Sequence, residues 1–249
     1  MLEAQFLRGL AVKNQTLDIN ISREYCQHLF LSSFYRKNST ESFLLKGGTA
    51  LRIVFQSPRY SEDLDFSAPS VSGIEDIVLS VLQDLDAEGL KATKIPESKE
   101  TRSGKGYLAI LEFSAPAFQS QIKLNVQQKN PETLAKSSKI VSNEFIPPYT
   151  IVYLKDELLL AEKIEAFLKR EMPKARDFFD LYFILNDDNL RALVKRDEKL
   201  KSQILERLES LSDRDLSSEL KQLLPVGFHQ LFSGAGFTTQ IKRLVDLYL

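Results

Sequence analysis

Two aspartates one residue apart are the first groups in the sequence whose spacing could do chemistry. Asp63 and Asp65 occur in the segment "EDLDFSA", where polar and apolar residues alternate. Alternation predicts a β-strand, and side chains two positions apart on a strand project from the same face. Two carboxylates on one face repel each other unless a cation lies between them, and Mg²⁺ is the usual oxygen-binding candidate, with Mn²⁺ as a substitute. The pattern therefore predicts a divalent-metal site at Asp63 and Asp65.

The segment before this strand predicts a turn that could bind an anion. The apolar run "SFLLK" is followed by Gly47 and Gly48, and Thr49 then opens the segment "ALRIVFQ". We expect this segment to be a helix that Thr49 caps and that ends at Ser57-Pro58. Glycines let an anion approach the backbone, and a helix N-terminus offers N–H groups and a positive dipole end. We predict that Gly47, Gly48 and Thr49 hold a triphosphate.

A phosphate-binding turn followed by paired carboxylates predicts a metal–nucleotide site. Taken separately, Gly-Gly-Thr is an ordinary helix start, and Asp-Leu-Asp is an ordinary solvated strand face. Arg59 and Ser61 lie between the two features, and we predict supporting roles for both. Lys46 and Arg52 add positive charge near the turn, although Lys46 could equally do no more than flank the strand.

The first 155 residues mix helical and strand patterns. The periodicity predicts two helices, a hairpin and less regular segments. The predicted elements are helices at 21–38 and 72–90, strands at 106–115 and 120–128, a loop or poor helix at 129–138, and an extended segment at 145–154.

From residue 156 onward every long segment has the pattern of a helix. We therefore predict an α/β domain with a mixed β-sheet over residues 1–155, N-terminal helices included. An α-helical C-terminal subdomain that closes the cleft is predicted over residues 156–249. The boundary follows Pro147-Pro148 and contains no Gly/Ser-rich spacer, so we expect a subdomain seam and not a flexible linker.

Composition excludes several classes of protein. The 249 residues are 43% hydrophobic, which allows a sizeable core, and 33 basic residues against 34 acidic ones do not indicate a general polyanion binder. Cys26 is the single cysteine, so an internal disulfide framework and a CxxC metal site are excluded. The sequence has no 18-residue apolar run and no leader-like N-terminus. These features predict a cytoplasmic protein without a membrane segment.

Three further features have ordinary structural interpretations. His28 and His229 have no ligand or nucleophile partner nearby in the sequence, and Cys26 lies in an apolar run. We expect all three to be structural. We predict that the basic segment at 91–105 is a loop, which is either solvated or in contact with RNA.

The segment "KGGTALRIVFQSPRYSEDLDFS" resembles the signature GG[T/S]-x-L…R-x-S-x-D-x-D of the AbiEii/AbiGii toxin family. "LLLAEKIEAFLKREMPKARDFFDLYFIL" is similar to the family's second block, in which E-K-x-x-A on one helix precedes R-D-x-x-D on the next. The resemblance spans roughly residues 20–190 and is specific because both blocks occur in this order.

The second block adds candidate residues. The Lys163 ammonium could reach a triphosphate, and Asp177 and Asp180 share a helix face. Arg176 could pair with phosphate or with an aspartate. Without the resemblance, a surface with ordinary ion pairs explains these residues better. With it, we predict catalytic roles for Lys163 and Asp177, nucleotide binding by Lys163 and Arg176, and a supporting role for Asp180.

The resemblance implies a nucleotidyltransferase-like toxin of the DNA-polymerase-β superfamily, paired with a cognate antitoxin. The implied reaction transfers a nucleoside monophosphate from an NTP to an acceptor hydroxyl, with a tRNA 3′ end as the acceptor in some relatives. The sequence departs from the superfamily at the strand "QIKLNVQ", where Asn125 stands at the place of a third carboxylate and Glu112 is an alternative supplier. A catalytically idle relative and a Mg²⁺-dependent phosphohydrolase therefore remain alternatives.

Overall fold

The computed structural model describes residues 2–95, 106–210, 212–233 and 236–249. The chain divides into two compact units, residues 1–155 and residues 156–249. The first unit is a mixed α/β structure around a seven-stranded sheet, and the second is built of helices. The predicted fold class, an α/β core with a mixed sheet plus a helical C-terminal part, is confirmed.

The first unit contains helices α1 to α4 and strands β1 to β7. The helices are α1 (Ala4–Lys13), α2 (Asp18–Phe34), α3 (Gly47–Phe55) and α4 (Ile74–Ala87). The strands are β1 (Leu44–Lys46), β2 (Asp63–Ala68), β3 (Lys91–Ile95), β4 (Gly106–Ala115), β5 (Phe118–Gln128), β6 (Lys136–Val141) and β7 (Tyr149–Leu154).

The described strands form one sheet in the order β3-β4-β5-β2-β1-β7-β6. Strand β2 runs parallel to β5 and β1 runs parallel to β7, whereas the other neighbours are antiparallel. β4 and β5 form the predicted hairpin. Strand β2 lies between β1 and β5. Pairing with both neighbours therefore fixes which residues lie beside each of its side chains.

One face of the sheet is the core of this unit. Leu64 and Phe66 of β2 and Leu124 of β5 are fully buried on it, and α2 contacts β5 while α4 contacts β3. The Phe34 and Phe66 rings lie 5.3 Å apart between α2 and the sheet. Full burial of each such side chain stabilises the fold by about 1.5–3 kcal/mol. The polar residues of β2 are thereby directed to the opposite face.

The segment that joins β1 to β2 follows its local sequence. Gly47 has φ +77°, which lets the chain turn from β1 directly into α3. At the other end, Gln56 adopts a left-handed conformation at φ +57°, just before Ser57-Pro58. The prediction that α3 ends at this proline is confirmed.

Two strands differ from the predictions. Residues 91–95, assigned to a loop, form β3, which pairs with β4, and Lys136–Val141, assigned in part to a loop or poor helix, form β6. Both are edge strands of the sheet. Their polar sequences lack the apolar alternation of an internal strand, and pairing with a stronger neighbour determines their structure. The rest of the predicted basic loop, residues 96–105, lies outside the described residues.

The second unit is helical throughout its described residues. Its α-helices are α5 (Asp156–Lys169), α6 (Ala175–Asn186), α7 (Asp188–Ala192), α8 (Glu198–Arg207), α9 (Asp213–Leu223) and α10 (Phe237–Tyr248). Aromatic side chains on α5, α6 and α10 form its core, with the Phe167 and Phe178 rings 5.1 Å apart and Phe179 and Phe237 6.3 Å apart. In the described part of the chain, no helix is long and apolar enough to span a membrane.

Candidate active site

Asp63 and Asp65 project from the same face of β2, opposite to the buried Leu64 and Phe66. Both aspartates are partly exposed. Their neighbours are fixed by the parallel register with β5, in which Asp63 lies beside Lys123 and Asp65 lies beside Asn125. The geometry therefore places two carboxylates side by side on an accessible part of the sheet.

The amide of Asn125 holds the carboxylate of Asp65. Asn125 Nδ2 donates a hydrogen bond to Asp65 Oδ1 at 3.0 Å. This orientation of the amide follows from electrostatics, because its oxygen would repel a carboxylate oxygen. Asn125, at the position where relatives of this superfamily carry a third carboxylate, therefore donates a hydrogen bond to Asp65 and contributes no negative charge.

Gly47 brings the glycine turn against the same carboxylate. A Cβ atom at Gly47 would lie 2.5 Å from Asp65 Oδ2, closer than real Cβ contacts occur. The turn and Asp65 are thus in direct contact, and the position accepts only glycine both for its space and for its φ of +77°.

At Gly48 the constraint is space beside two other side chains. A Cβ atom there would lie 2.7 Å from both Arg59 Nη2 and Ser61 Oγ. Arg59 is only 2% exposed and donates through Nη1 to the Tyr60 carbonyl oxygen at 3.0 Å. Arg59 and Ser61, predicted as supporting residues, therefore pack on the start of α3, where Arg59 is part of the interior.

Thr49 does not cap α3, contrary to the prediction. The helix begins at Gly47 with Lys46 at the N-cap position, and no side chain of the described residues caps it. Thr49 is the third residue of the helix, is 1% exposed, and donates its hydroxyl to the Asp63 backbone carbonyl at 2.5 Å. The hydroxyl thereby links α3 to β2, and the first backbone N–H groups of α3 are the groups suited to an anion.

Arg52 belongs to the support of the site. Its guanidinium forms two hydrogen bonds with the Glu24 carboxylate, at 2.7 and 3.2 Å, and one with the Ser57 carbonyl oxygen at 2.9 Å. It also lies 4.0 Å above the Tyr60 ring. These contacts hold the segment that carries Arg59 and Ser61 against α2. Its hydrogen bonds are thus directed to groups of the fold itself.

Two more side chains hold the same region. Gln27 Nε2 on α2 donates to the Ser61 carbonyl oxygen at 3.0 Å. Lys46, which lies beside Asp65 in the β1–β2 register, is 6% exposed, and its ammonium donates to Gln127 Oε1 at 2.7 Å. Sequence patterns gave no signal for Gln27 or Gln127, because each acts through one contact with a distant segment.

Lys123 is a residue of this face that the sequence analysis missed. It is exposed and lies one strand from Asp63 in register. The signal was present, because in "QIKLNV" a two-residue period places Lys123 on the same face as Asn125. The alternative carboxylate, Glu112, is exposed, accepts from Gln121 at 3.2 Å, and lies on β4, two strands from β2. At about 4.8 Å per strand it is about 10 Å away, too far to share a cation with Asp63.

The donor set suits a hard cation that arrives with phosphate. Among the described residues, no group of three or more His, Cys, Asp or Glu side chains is placed to hold a metal. Mg²⁺ sites in nucleotide enzymes commonly use one or two carboxylates together with substrate phosphates. Asp63 and Asp65, with the amide of Asn125 beside them, fit that type of site.

The predicted residues of the second unit form ion pairs with one another. Lys163 Nζ on α5 donates to Asp180 Oδ2 at 2.8 Å, and Asp180 is 1% exposed. Arg170 binds both oxygens of Asp177, at 2.8 and 2.5 Å, and Asp177 Oδ2 also accepts from the Lys174 backbone N–H at 3.0 Å.

These contacts join α5 to α6 and close the first turn of α6. The roles assigned to Lys163, Asp177 and Asp180 in nucleotide binding and catalysis therefore stay predictions, as does that of Arg176, which is partly exposed in the first turn of α6.

The remaining titratable candidates are interior groups. His28 is 4% exposed, with Nδ1 2.7 Å from the Tyr149 hydroxyl, and burial lowers the pKa of His28 to about 4. Burial also raises the pKa of the Cys26 thiol above its ordinary value. The burial of both groups agrees with the prediction that they are structural.

Comparison with protein families gives a match over most of the chain. Residues 29–236 match the family described as nucleotidyl transferase AbiEii toxin of type IV toxin–antitoxin systems. A search of curated protein sequences found no match.

Solved structures give the same fold. A proposed nucleotidyltransferase from Helicobacter pylori superposes with a TM-score of 0.61 at 17% identity, covering 92% of this chain and 93% of that one. The nucleotidyltransferase toxin MenT4 of Mycobacterium tuberculosis gives a TM-score of 0.60 at 16% identity, covering 100% and 90%. JHP933 of Helicobacter pylori gives 0.55 at 16%, covering 94% and 93%. At these identities the likeness concerns the fold.

Proposed function

The chain belongs to the AbiEii family of nucleotidyltransferase toxins, and from this premise we propose that it transfers a nucleoside monophosphate from an NTP to an acceptor hydroxyl. The family implies an NTP substrate and an antitoxin partner. The observation that carries the proposal is the contact between the glycine turn and Asp65. It places helix-terminal N–H groups next to a pair of carboxylates.

Each group of the site has a role in this reaction. The first backbone N–H groups of α3, at Gly47 and Gly48, would bind triphosphate oxygens, aided by the positive end of the helix dipole. Asp63 and Asp65 would hold a divalent cation, Mg²⁺ or Mn²⁺. When bound, that cation neutralises phosphate charge that develops during the transfer. Thr49, whose hydroxyl is bound to the Asp63 carbonyl, would contribute through its backbone.

The chemistry is a displacement at the α-phosphorus of the NTP. The acceptor oxygen forms a bond to that phosphorus while the bond from the phosphorus to the oxygen bridging the α- and β-phosphates breaks. Pyrophosphate leaves with the bonding electrons, and the proton of the acceptor hydroxyl passes to solvent. The groups of this unit would hold the triphosphate and the cation in position, and positioning together with electrostatic stabilisation is the main contribution that proteins make to phosphoryl transfer.

One observation favours a second candidate function. Asn125 occupies the third position with an amide that donates to Asp65, so the described site contains two carboxylates. A relative that binds nucleotide without transferring it would tolerate such a site. The experiment must therefore separate transfer from binding.

Incubation with each α-³²P-labelled NTP, Mg²⁺ and total tRNA makes that separation. Label on RNA supports transfer, and free labelled monophosphate indicates hydrolysis. Nucleotide binding with neither product indicates the idle relative. Any of these results other than label on an acceptor contradicts the proposed function.

Asp63→Ala tests the carboxylate pair in cells. We expect this variant to fold but to lose transfer, and therefore to lose growth inhibition on expression. Asp86→Ala, which removes an exposed aspartate near the end of α4, is the matched control and should remain inhibitory. An Asp63→Ala variant that still inhibits growth would contradict the metal-site assignment.

A further inference from the structure

A lysine side chain crosses β2 next to the two carboxylates. Lys46, the last residue of β1, lies beside Asp65 in the antiparallel register of β1 and β2. Residues that lie opposite each other in a sheet share a face, so the side chain of Lys46 is on the face of Asp65. Its ammonium donates a hydrogen bond to Gln127 Oε1 at 2.7 Å, although Gln127 belongs to β5, on the other side of β2. We call this contact the lysine bridge.

The strand register determines where the lysine bridge passes. In the pairing of β2 with β5, Asp65 lies beside Asn125 and Ser67 lies beside Gln127. Strands β1 and β5 are about 10 Å apart, because each lies about 4.8 Å from β2. A side chain that leaves β1 level with Asp65 and meets Gln127 level with Ser67 must cross β2 diagonally. The ammonium therefore lies next to Asp65, on the side away from Asp63.

Burial confines the lysine bridge to this place. Lys46 is 6% exposed, and Ser67, over which the bridge passes, is 0% exposed. A lysine is almost never so deeply buried unless its charge is compensated. Ser67 carries no charge, so Asp65 is the charged side chain of β2 nearest to the ammonium. The bridge is thus a fixed positive charge at the edge of the candidate metal site.

The bridge leaves the Asp65 carboxylate itself open to a ligand. Among the residues that the structure describes, Asp65 takes part in no ion pair, and its side-chain hydrogen bond comes from Asn125 Nδ2 at 3.0 Å. Gln127 draws the ammonium towards β5. The lysine charge therefore lies close to Asp65 without taking the place of a cation on it.

We infer that Lys46 is a positioning residue whose charge stabilises the paired carboxylates in the empty site and limits their affinity for a divalent cation. The same ammonium attracts Asp63 and Asp65 and repels a cation bound to them. Moderate affinity suits an ion that enters and leaves with nucleotide phosphates. The inference rests on the proposed function, because it takes the cation to bind at Asp63 and Asp65, and it adds the residue that sets the affinity.

Removal of the charge has an effect opposite in sign to a loss of structure. Titration with Mn²⁺ alone, followed through the EPR signal of the free ion, should show tighter binding by Lys46→Gln than by the wild type. A unit charge and a divalent ion at a diagonal cross-strand distance of about 7 Å repel each other. Their repulsion corresponds to roughly a five-fold change in affinity at 0.01 M salt and roughly three-fold at 0.1 M. Without the ion, Lys46→Gln should melt at a lower temperature than the wild type.

Lys37→Gln is the matched control. Lys37 is also a partly buried lysine of the first unit, and its ammonium binds Asp84 at 2.6 Å and Ser80 at 2.8 Å, both on α4. This variant should lose stability and keep the wild-type affinity for Mn²⁺ at both salt concentrations. Lys46→Arg keeps the charge and should bind Mn²⁺ as the wild type does.

The sign and the salt dependence of the change decide the inference. Binding of Mn²⁺ by Lys46→Gln that is unchanged or weaker overturns it, because loss of a merely structural lysine would loosen the site. A gain in affinity that is equal at both salt concentrations also overturns it. If Lys46→Gln does not fold, Gln127→Leu keeps the charge and releases the ammonium, which can then reach Asp65. Its affinity for Mn²⁺ should fall, and an affinity equal to that of the wild type overturns the inference.

Asp63→Ala in the same titration separates this inference from the proposed function. If the wild type binds Mn²⁺ no better than Asp63→Ala does, the metal-site assignment and the inference fail together. If binding depends on Asp63 but Lys46→Gln shows no gain, the metal site stands and only the role of Lys46 is refuted.

Discussion

Gly47→Ala is the most direct test of the contact between the glycine turn and Asp65. The substitution adds one methyl group at a position where φ is +77° and where a Cβ atom would lie 2.5 Å from Asp65 Oδ2. An alanine there is strained by the backbone conformation and by the contact. The two effects can be separated, because Gly73 has the same φ of +77° with no atom within 4 Å of an added Cβ.

The size of each effect follows from this geometry. A left-handed conformation costs a non-glycine residue roughly 1–2 kcal/mol, so both Gly47→Ala and Gly73→Ala should lower the free energy of unfolding by that amount. Only at Gly47 must Asp65 also move, by about 0.9 Å, to lengthen the contact from 2.5 Å to an ordinary 3.4 Å. A displacement of about 1 Å in a catalytic group can lower activity by about 100-fold.

Urea denaturation gives the stability of both variants, and the rate of transfer from labelled NTP gives their activity. We expect Gly73→Ala to lose stability and keep activity, and Gly47→Ala to lose at least as much stability together with most of its activity. Equal losses of stability with full activity in Gly47→Ala would refute the claim that the turn touches the site.

Two further predictions concern His28 and Asn125. Because burial lowers the pKa of His28 from 6.5 to about 4, its contribution to stability is complete above pH 6.5 and is lost as the pH falls towards 4, by about 2 kcal/mol at pH 5. In urea denaturation at pH 7 and pH 5, His28→Gln should remove that part of the pH dependence, and an unchanged difference would contradict the buried neutral histidine. Asn125→Asp replaces the donor 3.0 Å from Asp65 Oδ1 with a carboxylate, so the melting temperature should fall without divalent cation and recover with Mn²⁺. Gln128→Glu, which adds the same charge at an exposed end of β5, should show neither change.

The parts of the fold that sequence predicted are those with a strong local signal. β2 alternates polar and apolar residues because its two faces have different surroundings, and the β4–β5 hairpin has long strands of the same kind. The sharp turn at Gly47 and the helix end before Pro58 each depend on the conformational limits of one or two residues. Such signals survive in a single sequence.

The parts that sequence missed depend on distant segments. β3 and β6 are edge strands whose own residues are mostly polar, so only their partners β4 and β7 make them strands. Thr49 was misassigned as a cap because its hydroxyl binds the Asp63 carbonyl, 14 residues along the chain. Arg52 has the charge of a phosphate ligand, but its partner Glu24 lies on α2.

Burial divides the predicted site residues into two groups that residue type alone cannot separate. Thr49 and Arg59 in the first unit, and Asp177 and Asp180 in the second, are 5% exposed or less. Their side chains bind the Asp63 and Tyr60 carbonyl oxygens, the Lys163 ammonium and the Arg170 guanidinium, all within their own unit.

Asp63 and Asp65 are instead partly exposed, and Lys123 beside them is exposed. A substitution in the buried group should lower stability and activity together, whereas one at Asp63 should lower activity alone. A protein that kept every buried member of the two motifs but lost Asp63 or Asp65 would therefore retain this fold, and its sequence would still resemble the family. For that reason the comparison of Asp63→Ala with Asp86→Ala tests the reaction, which likeness of fold cannot do.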